Sequence, residues 1–322
     1  MGAFKLATIQ RQRDGEAASS DVAALVIEDR LYPLDELAPD RAELQTGLFG
    51  LLQSWDAVYP TLASLAESIR PGQGGYAADD PSVRVLTPVR YPRAVFCTVF
   101  NYYDFAAEAG VTPPDKSAAR PYVCIKLPHT VIGPNETIVV PAHSRQADWE
   151  VELGAVIGRP CHEVFVKDAL EYVAGYTIVN DISARDVITR PDWPNFASDW
   201  LVSKNFDTAT PIGPYLLPRE FLPDPQNVRL KLTRNGEVQQ DGNTSSMIFS
   251  LAEQIAFISS VMTLQPGDII ATGTPAGVGW KRGLGLVAND HLMLEIPEIG
   301  AMHNRVVGPL TMVPPSTGTA FA

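Results

Sequence analysis

A mainly β chain of the α+β class, led by a small N-terminal α/β domain, is predicted by three features of the sequence. The 322 residues include 27 prolines and 24 glycines scattered among short apolar runs, a pattern that favours strands and loops over a helical bundle. Many of those runs alternate with period two, as half-buried strands do. Longer helical spacing is confined to 44–70 and 250–264.

Taken in order, 3–9 and 23–28 read as strands, followed by Leu31-Tyr-Pro-Leu34. Leu48, Leu51, Leu52, Trp55, Val58, Leu62, Leu65 and Ile69 recur at helical spacing, and Pro60 predicts a break into two helices. The polar, glycine-rich stretch from Arg70 to Pro81 separates a domain over 1–80 from a second over 81–315, with 316–322 a loose tail. In the second domain, 94–100 is a buried strand running into Asn101-Tyr-Tyr-Asp104 and a short helix through Glu108. Strands follow at 121–126 and 137–141, and Lys167 to Tyr172 is a short helix. The strand Ala174-Gly-Tyr-Thr-Ile-Val-Asn180 delivers Asp181 at its end. Asn235-Gly236 marks a hairpin, Ser250-Leu-Ala-Glu253 is a capping box, and Ile269–Thr272 is a strand ending in a glycine-rich loop.

The net charge of −12 and pI near 4.9 argue against nucleic acid or an anionic membrane as partner. No apolar run reaches the length of a membrane span. Three widely spaced cysteines, Cys97, Cys124 and Cys161, suit buried thiols in a reducing cytoplasm better than a disulfide framework or zinc site.

Chemistry centres on Asp148-Trp-Glu-Val-Glu-Leu-Gly-Ala-Val-Ile-Gly158. Its alternation predicts a half-buried strand with Glu150 and Glu152 on one face, about 6.6 Å apart along the chain. Two such carboxylates repel and are costly to desolvate unless a cation lies between them. The pair is either a solvated polar face or a site for an oxygen-loving ion such as Mg²⁺, Mn²⁺ or Ca²⁺.

Further motifs follow in a fixed order: Gly175-Tyr176, Asn180-Asp-Ile-Ser-Ala-Arg-Asp186, Lys204-Asn-Phe-Asp207, Pro211-Ile-Gly-Pro214, Asn235-Gly236, Pro266-Gly-Asp268 and Thr272-Gly-Thr-Pro-Ala-Gly-Val-Gly279. In order and spacing this set resembles the fumarylacetoacetate hydrolase superfamily over most of 90–310, and the N-terminal segment resembles the leading domain of its longer bacterial members. The resemblance implies a mixed β-sandwich roll, usually homodimeric, with a metal site at one end. It implies that Glu150, Glu152 and Asp181 are the metal ligands, with Mg²⁺ the expected ion, and that Lys204 is the active-site lysine facing a developing enolate. It implies substrate contacts from Arg185, Thr274 and Tyr102, although Arg185 equally suits a structural pair with Asp186 or Asp181. Gly273 and Gly277 fit either close approach of a ligand or the turn itself.

Two positions depart from the family pattern. Where many members read Asn-Tyr-x-Asp-His, this chain has Asn101-Tyr-Tyr-Asp-Phe105, leaving Glu108 without the histidine it works with in the hydrolases. Ile188 replaces a frequent glutamine. His129, His143, His162, His291 and His303 read as loop or surface residues, His143 being the first candidate for a substitute base. The resemblance therefore implies a divalent-metal enzyme cleaving a carbon–carbon bond in a small acylpyruvate-type or β-diketo acid, with Lys204 and Glu108 catalytic. Decarboxylation or keto–enol isomerisation of an oxo acid is the alternative chemistry. A metal-binding homologue without catalysis is the alternative class, against which the retained carboxylates, Lys204 and Thr274 speak.

Overall fold

The structure, a computed structural model, describes residues 3–309 apart from 12–20, 71, 73 and 197; the expected loose tail at 316–322 lies outside the described residues. The fold is a sheet-dominated α+β arrangement, as the sequence predicts. A twelve-stranded sheet runs on an open path, with no closed barrel among the described residues, and a separate five-stranded sheet packs beside it. None of the described helices is long and apolar enough to cross a membrane.

At the centre of the large sheet lies the strand Val151–Ile157, hydrogen-bonded to antiparallel neighbours Val173–Asn180 and Ile269–Ala271. The alternating pattern predicts a strand buried on one face, but all seven residues are buried. Both faces are covered. Val151, Leu153, Ala155 and Ile157 pack with Leu230, Leu294 and Ile296 of the five-stranded sheet and with Ile255 of the helix Leu251–Val261. Val156 packs on the opposite side with Leu48, Leu51, Trp55 and Leu62 from the N-terminal helices. Gly154 has no room for a side chain, since a Cβ there would lie 2.7 Å from the Val179 Cγ2.

Residues 1–80, set apart in the sequence by their glycine-rich border, contribute strands Lys5–Arg11, Val22–Ile27 and Arg30–Pro33 to the same sheet. Leu6 pairs with Leu216 of the long strand Thr210–Pro218, and Val83–Leu86 returns to pair with Lys5–Arg11. Pro60 does not break the helix as expected; it lies inside Trp55–Ser68, and the interruption falls before it, at Gln53–Ser54. Proline forfeits one backbone hydrogen bond, and burial of Trp55, Val58 and Leu62 on one helix face outweighs that loss.

The local signals at 235–236 and 250–253 are realised as read. Asn235 and Gly236 both take positive φ, as a two-residue hairpin requires. Ser250 accepts from the Glu253 N–H while the Glu253 side chain accepts from the Ser250 N–H, a reciprocal cap on Leu251–Val261. Because this helix closes the core, Ser250→Ala is expected to lower unfolding stability by about 1 kcal/mol in denaturant melts, with activity retained.

Candidate active site and metal centre

The register Val151↔Asn180 brings the start of one central strand against the end of the next, and so Glu150 beside Asp181. The backbone reinforces it: the Asp181 N–H donates to the Glu150 carbonyl at 3.0 Å, and the Glu150 N–H to Asn180 Oδ1 at 3.0 Å. Glu152 follows one pleat on. Oxygen atoms of Glu150, Glu152 and Asp181 lie within 4.8 Å of one another. At 4%, 1% and 1% exposure they form no solvated face.

Basic side chains meet two of these three carboxylates. Lys204, at the end of the short helix Trp200–Lys204, pairs with Asp181 and lies 3.3 Å from Glu150. Arg185 pairs with Glu150 and reaches Asp148 at 3.3 Å, in place of the expected partners Asp186 or Asp181. Asp186 instead accepts from Ser144 and from the Arg145 N–H. A third cation went unread in the sequence. Lys126, fully buried at the end of strand Val123–Lys126, donates to Asp181 Oδ1 at 2.7 Å and to the carbonyls of Ile182 and Ala209 at 2.9 and 2.7 Å.

Charge is therefore distributed unevenly. Burial alone would raise the Asp181 carboxyl, but Lys126 and Lys204 outweigh it and hold it far below the usual carboxylate range. Burial likewise opposes the Lys204 ammonium, and Asp181 with Glu150 outweighs it, lifting the lysine well above its usual value. Among the described residues Glu152 has no basic hydrogen-bond or ion-pair partner; its Oε2 accepts the Gly273 N–H, at 2.8 Å. Burial, and then the charges of Asp181 and Glu150, push its carboxyl well above the ordinary range. A buried carboxylate with two anionic neighbours and no cation of its own fits a hard divalent ion, which the all-oxygen donor set suits.

A cavity of about 360 Å³ opens on this cluster. Glu150, Glu152, Lys204, Arg185 and Thr274 line it, together with Phe100, Phe105, Tyr122, Ile188, Trp200 and Trp280. The Phe105 ring stacks on Phe100 with centroids 4.7 Å apart, and Phe100 meets Trp280 edge-on at 6.5 Å. Thr274 faces the cavity, but its hydroxyl donates to the Val151 carbonyl at 2.9 Å and accepts from Gln240 at 2.8 Å. Gly273 and Gly277 both take positive φ, and added Cβ atoms would come within 2.8 Å of Asn101 and 2.1 Å of the Gln239 carbonyl. The turn itself requires these glycines.

Three expected residues stand elsewhere. Tyr102 is not on the cavity wall: it is the residue before helix Tyr103–Ala109, and its ring is fully buried in the core. Glu108 is not among the lining residues either; its carboxylate accepts the Gly277 N–H at 2.9 Å and so fastens the glycine-rich loop. His143 is exposed, its Nε2 lying 3.2 Å from the Val202 carbonyl. Asp148 escaped the sequence reading, as Lys126 did. It accepts the N–H groups of Gly279 and Trp280 at 2.7 and 2.9 Å, tying that loop to the base of the site.

A profile of the fumarylacetoacetate (FAA) hydrolase C-terminal domain matches residues 94–307. The chain belongs to this family. Among its relatives, the human mitochondrial oxaloacetate tautomerase FAHD2B is 36% identical over 279 residues, covering 82% of this chain and 86% of that protein. The crystal structure of a putative HpcE protein from Mycobacterium smegmatis superimposes with TM-score 0.75 at 31% identity, covering 93% of this chain and 99% of that one. The maleylpyruvate hydrolase of Sphingobium sp. SYK-6, crystallised with manganese(II) and pyruvate, gives TM-score 0.73 at 26% identity over 95% of this chain and all of its own, 100%. Family membership accounts for the shared sheet; the reaction rests on the cavity.

Two outcomes follow from the charge distribution. Glu152 has a raised folded-state pKa, so its contribution to stability is present below the usual glutamate range and is lost as pH rises through the folded value. In chelator at pH 8, Glu152→Gln is expected to melt above the native protein, while Mg²⁺ or Mn²⁺ raises the melting temperature of the native protein alone. Lys126→Met leaves Asp181 with Lys204 as its one cationic partner among the described residues and removes the donor to the Ile182 and Ala209 carbonyls, and is expected to cost about 3 kcal/mol in unfolding free energy measured without metal.

Proposed function

We propose that this chain is a divalent-metal-dependent enzyme that interconverts the keto and enol forms of a small 2-oxo acid. Glu150, Glu152 and Asp181 would hold the ion, Mg²⁺ in the first instance, which when bound supplies Lewis-acid polarisation of a 2-oxo carboxylate. Lys204 adds fixed positive charge beside the place where enolate charge develops, in a cavity whose apolar wall keeps the local dielectric low. Arg185, clamped by Glu150 and Asp148, holds the Glu150 carboxylate in one orientation. Thr274 is positioned by Gln240 and Val151, so its hydroxyl meets a ligand only as an acceptor unless its proton leaves the Val151 carbonyl.

The observation that carries this reading is the stacked Phe105–Phe100 wall. Carbon–carbon hydrolysis, the first reaction implied by the family resemblance, needs an oriented and activated water. Where that base is expected stands a phenyl ring, and Glu108 is engaged with the glycine-rich loop. Enolisation needs only stabilised charge and a proton relay. The curated relatives described as oxaloacetate tautomerases support the same choice. The homodimeric assembly and cytoplasmic setting expected from the sequence are kept as part of this proposal.

The test follows enol absorbance and product formation for oxaloacetate, phenylpyruvate and an acylpyruvate, with Mg²⁺ or Mn²⁺ and with excess chelator. Metal-dependent tautomerisation is expected, with acylpyruvate cleavage slower. Phe105→His should raise cleavage, by up to the roughly 10²–10⁴-fold that a general base contributes, and leave tautomerisation little changed. Native cleavage as fast as tautomerisation would overturn the proposal, as would full activity in chelator.

A further inference from the structure

Building on that oxo-acid reading, we infer that the substrate is a monocarboxylate whose far end is apolar or aromatic, and not a second carboxylate. Charge is the first ground. The buried cluster holds four carboxylates, Asp148, Glu150, Glu152 and Asp181, against three cations, Lys126, Lys204 and Arg185. Their ionised forms leave one net negative charge, which a divalent ion turns into one net positive charge. A 2-oxo monocarboxylate brings that to zero, whereas a dicarboxylate leaves an uncompensated anion in a buried site.

The wall is the second ground. Lys204 and Arg185 are the only cations among the cavity-lining residues, and both are committed to site carboxylates. Arg190, on the adjoining loop, is taken up by Asp192 and Asp199. Lys281 lies over the Trp280 ring, 4.4 Å from its centroid, and is not itself a lining residue. Away from the carboxylates most of the wall is made by Phe100, Phe105, Ile188, Trp280, Tyr122 and Trp200, and its remaining polar groups, on Thr98, Thr189, Ser198 and Thr274, are uncharged hydroxyls.

This aromatic surface is fixed in place. Phe100 holds a left-handed backbone with φ of 53°, a conformation that a bulky residue rarely adopts, and its ring thereby stacks on Phe105. Trp200 donates from Nε1 to the Tyr122 hydroxyl at 3.1 Å, with the two rings edge to face. Such a wall gives a planar apolar tail stacking surfaces and offers a carboxylate no fixed cation. The cavity of about 360 Å³ also exceeds what a four-carbon diacid would fill, leaving room for a ring.

Two unreactive ligands with the same oxamate head separate the tails. N-benzyloxamate carries a benzyl group where N-oxalylglycine carries a carboxymethyl group. Titration calorimetry with the manganese-loaded protein is expected to show N-benzyloxamate binding tighter by on the order of tenfold to a hundredfold, the gain from burying a phenyl ring. Ile188→Arg places a cation on the wall and should shift the ratio toward N-oxalylglycine by about tenfold or more. If that variant does not fold, the native pair of isotherms still decides. N-oxalylglycine binding as tightly as N-benzyloxamate, or tighter, would overturn the inference and leave the oxo-acid reading standing. Failure of plain oxamate to bind the manganese-loaded protein would instead remove the reading on which the inference rests.

Discussion

Everything at the site depends on holding four carboxylates together out of water. Each would incur a desolvation cost of several kcal/mol if left alone. Asp181 is met on both oxygens, Lys126 on one side and Lys204 on the other, and Glu150 shares Lys204 and Arg185. Asp148 takes Arg185 and the N–H groups of Gly279 and Trp280. Among the described residues Glu152 alone of the four has no basic partner. The arrangement thus leaves one buried carboxyl whose charge has no matching cation among the described residues, and that imbalance is what suits the cluster to a divalent ion.

The fold supplies these partners by bringing together chain ends that lie far apart in sequence. Lys126 comes from an edge strand, Asp181 and Glu150 from two central strands, Lys204 from a short helix capped by the Asp199 side chain. The glycine-rich loop is pinned to this frame at several points. Asn101 donates to the carbonyls of Phe249 and Thr272, Gln240 to Thr274 and Pro275, and Glu108 accepts from Gly277. A loop fastened this often cannot drift, so Thr274 and Trp280 keep fixed places on the cavity wall. Covering the central strands on both faces serves the same end, because a sheet open to solvent on the glutamate side would hydrate the carboxylates and weaken every pairing.

Much of this was legible in the sequence, and the gaps have physical causes. The hairpin and capping-box signals are local and were realised where they were read, while strands read at 94–100, 121–126 and 137–141 form over the shorter spans Val95–Thr98, Val123–Lys126 and Thr137–Val139. The three clustered carboxylates were legible through motif order, Asp181 among them only because the family resemblance supplied it. Lys126 was not legible, since a lysine ending an apolar strand looks like an ordinary solvated strand end. Its burial depends on Asp181, Ile182 and Ala209, all far along the chain. The half-buried reading of 148–158 failed for a related reason: period-two patterning records which side chains are polar, and the second face is covered by helices from 47–68 and by neighbouring strands. Tyr102 and Glu108 fell in a family motif yet point into the core and the loop. A motif fixes the neighbourhood of a residue, while the turn into helix Tyr103–Ala109 decides which side chain meets the cavity. That turn presents Phe105.

The consequence for chemistry is a division of the cavity into two unlike halves. On one side are fixed charges that need no rearrangement to stabilise an oxyanion. On the other is a stacked aromatic wall, Phe105 against Phe100 with Trp280 edge-on. An ordered water needs two to four polar partners to be held, and the phenyl rings of Phe100 and Phe105 offer none. The aromatic wall also strengthens each electrostatic contact across the cavity by lowering the local dielectric. Where the family pattern has a histidine this chain has Phe105, and its ring, stacked on Phe100, supplies neither a base nor a polar partner for water on that side of the cavity.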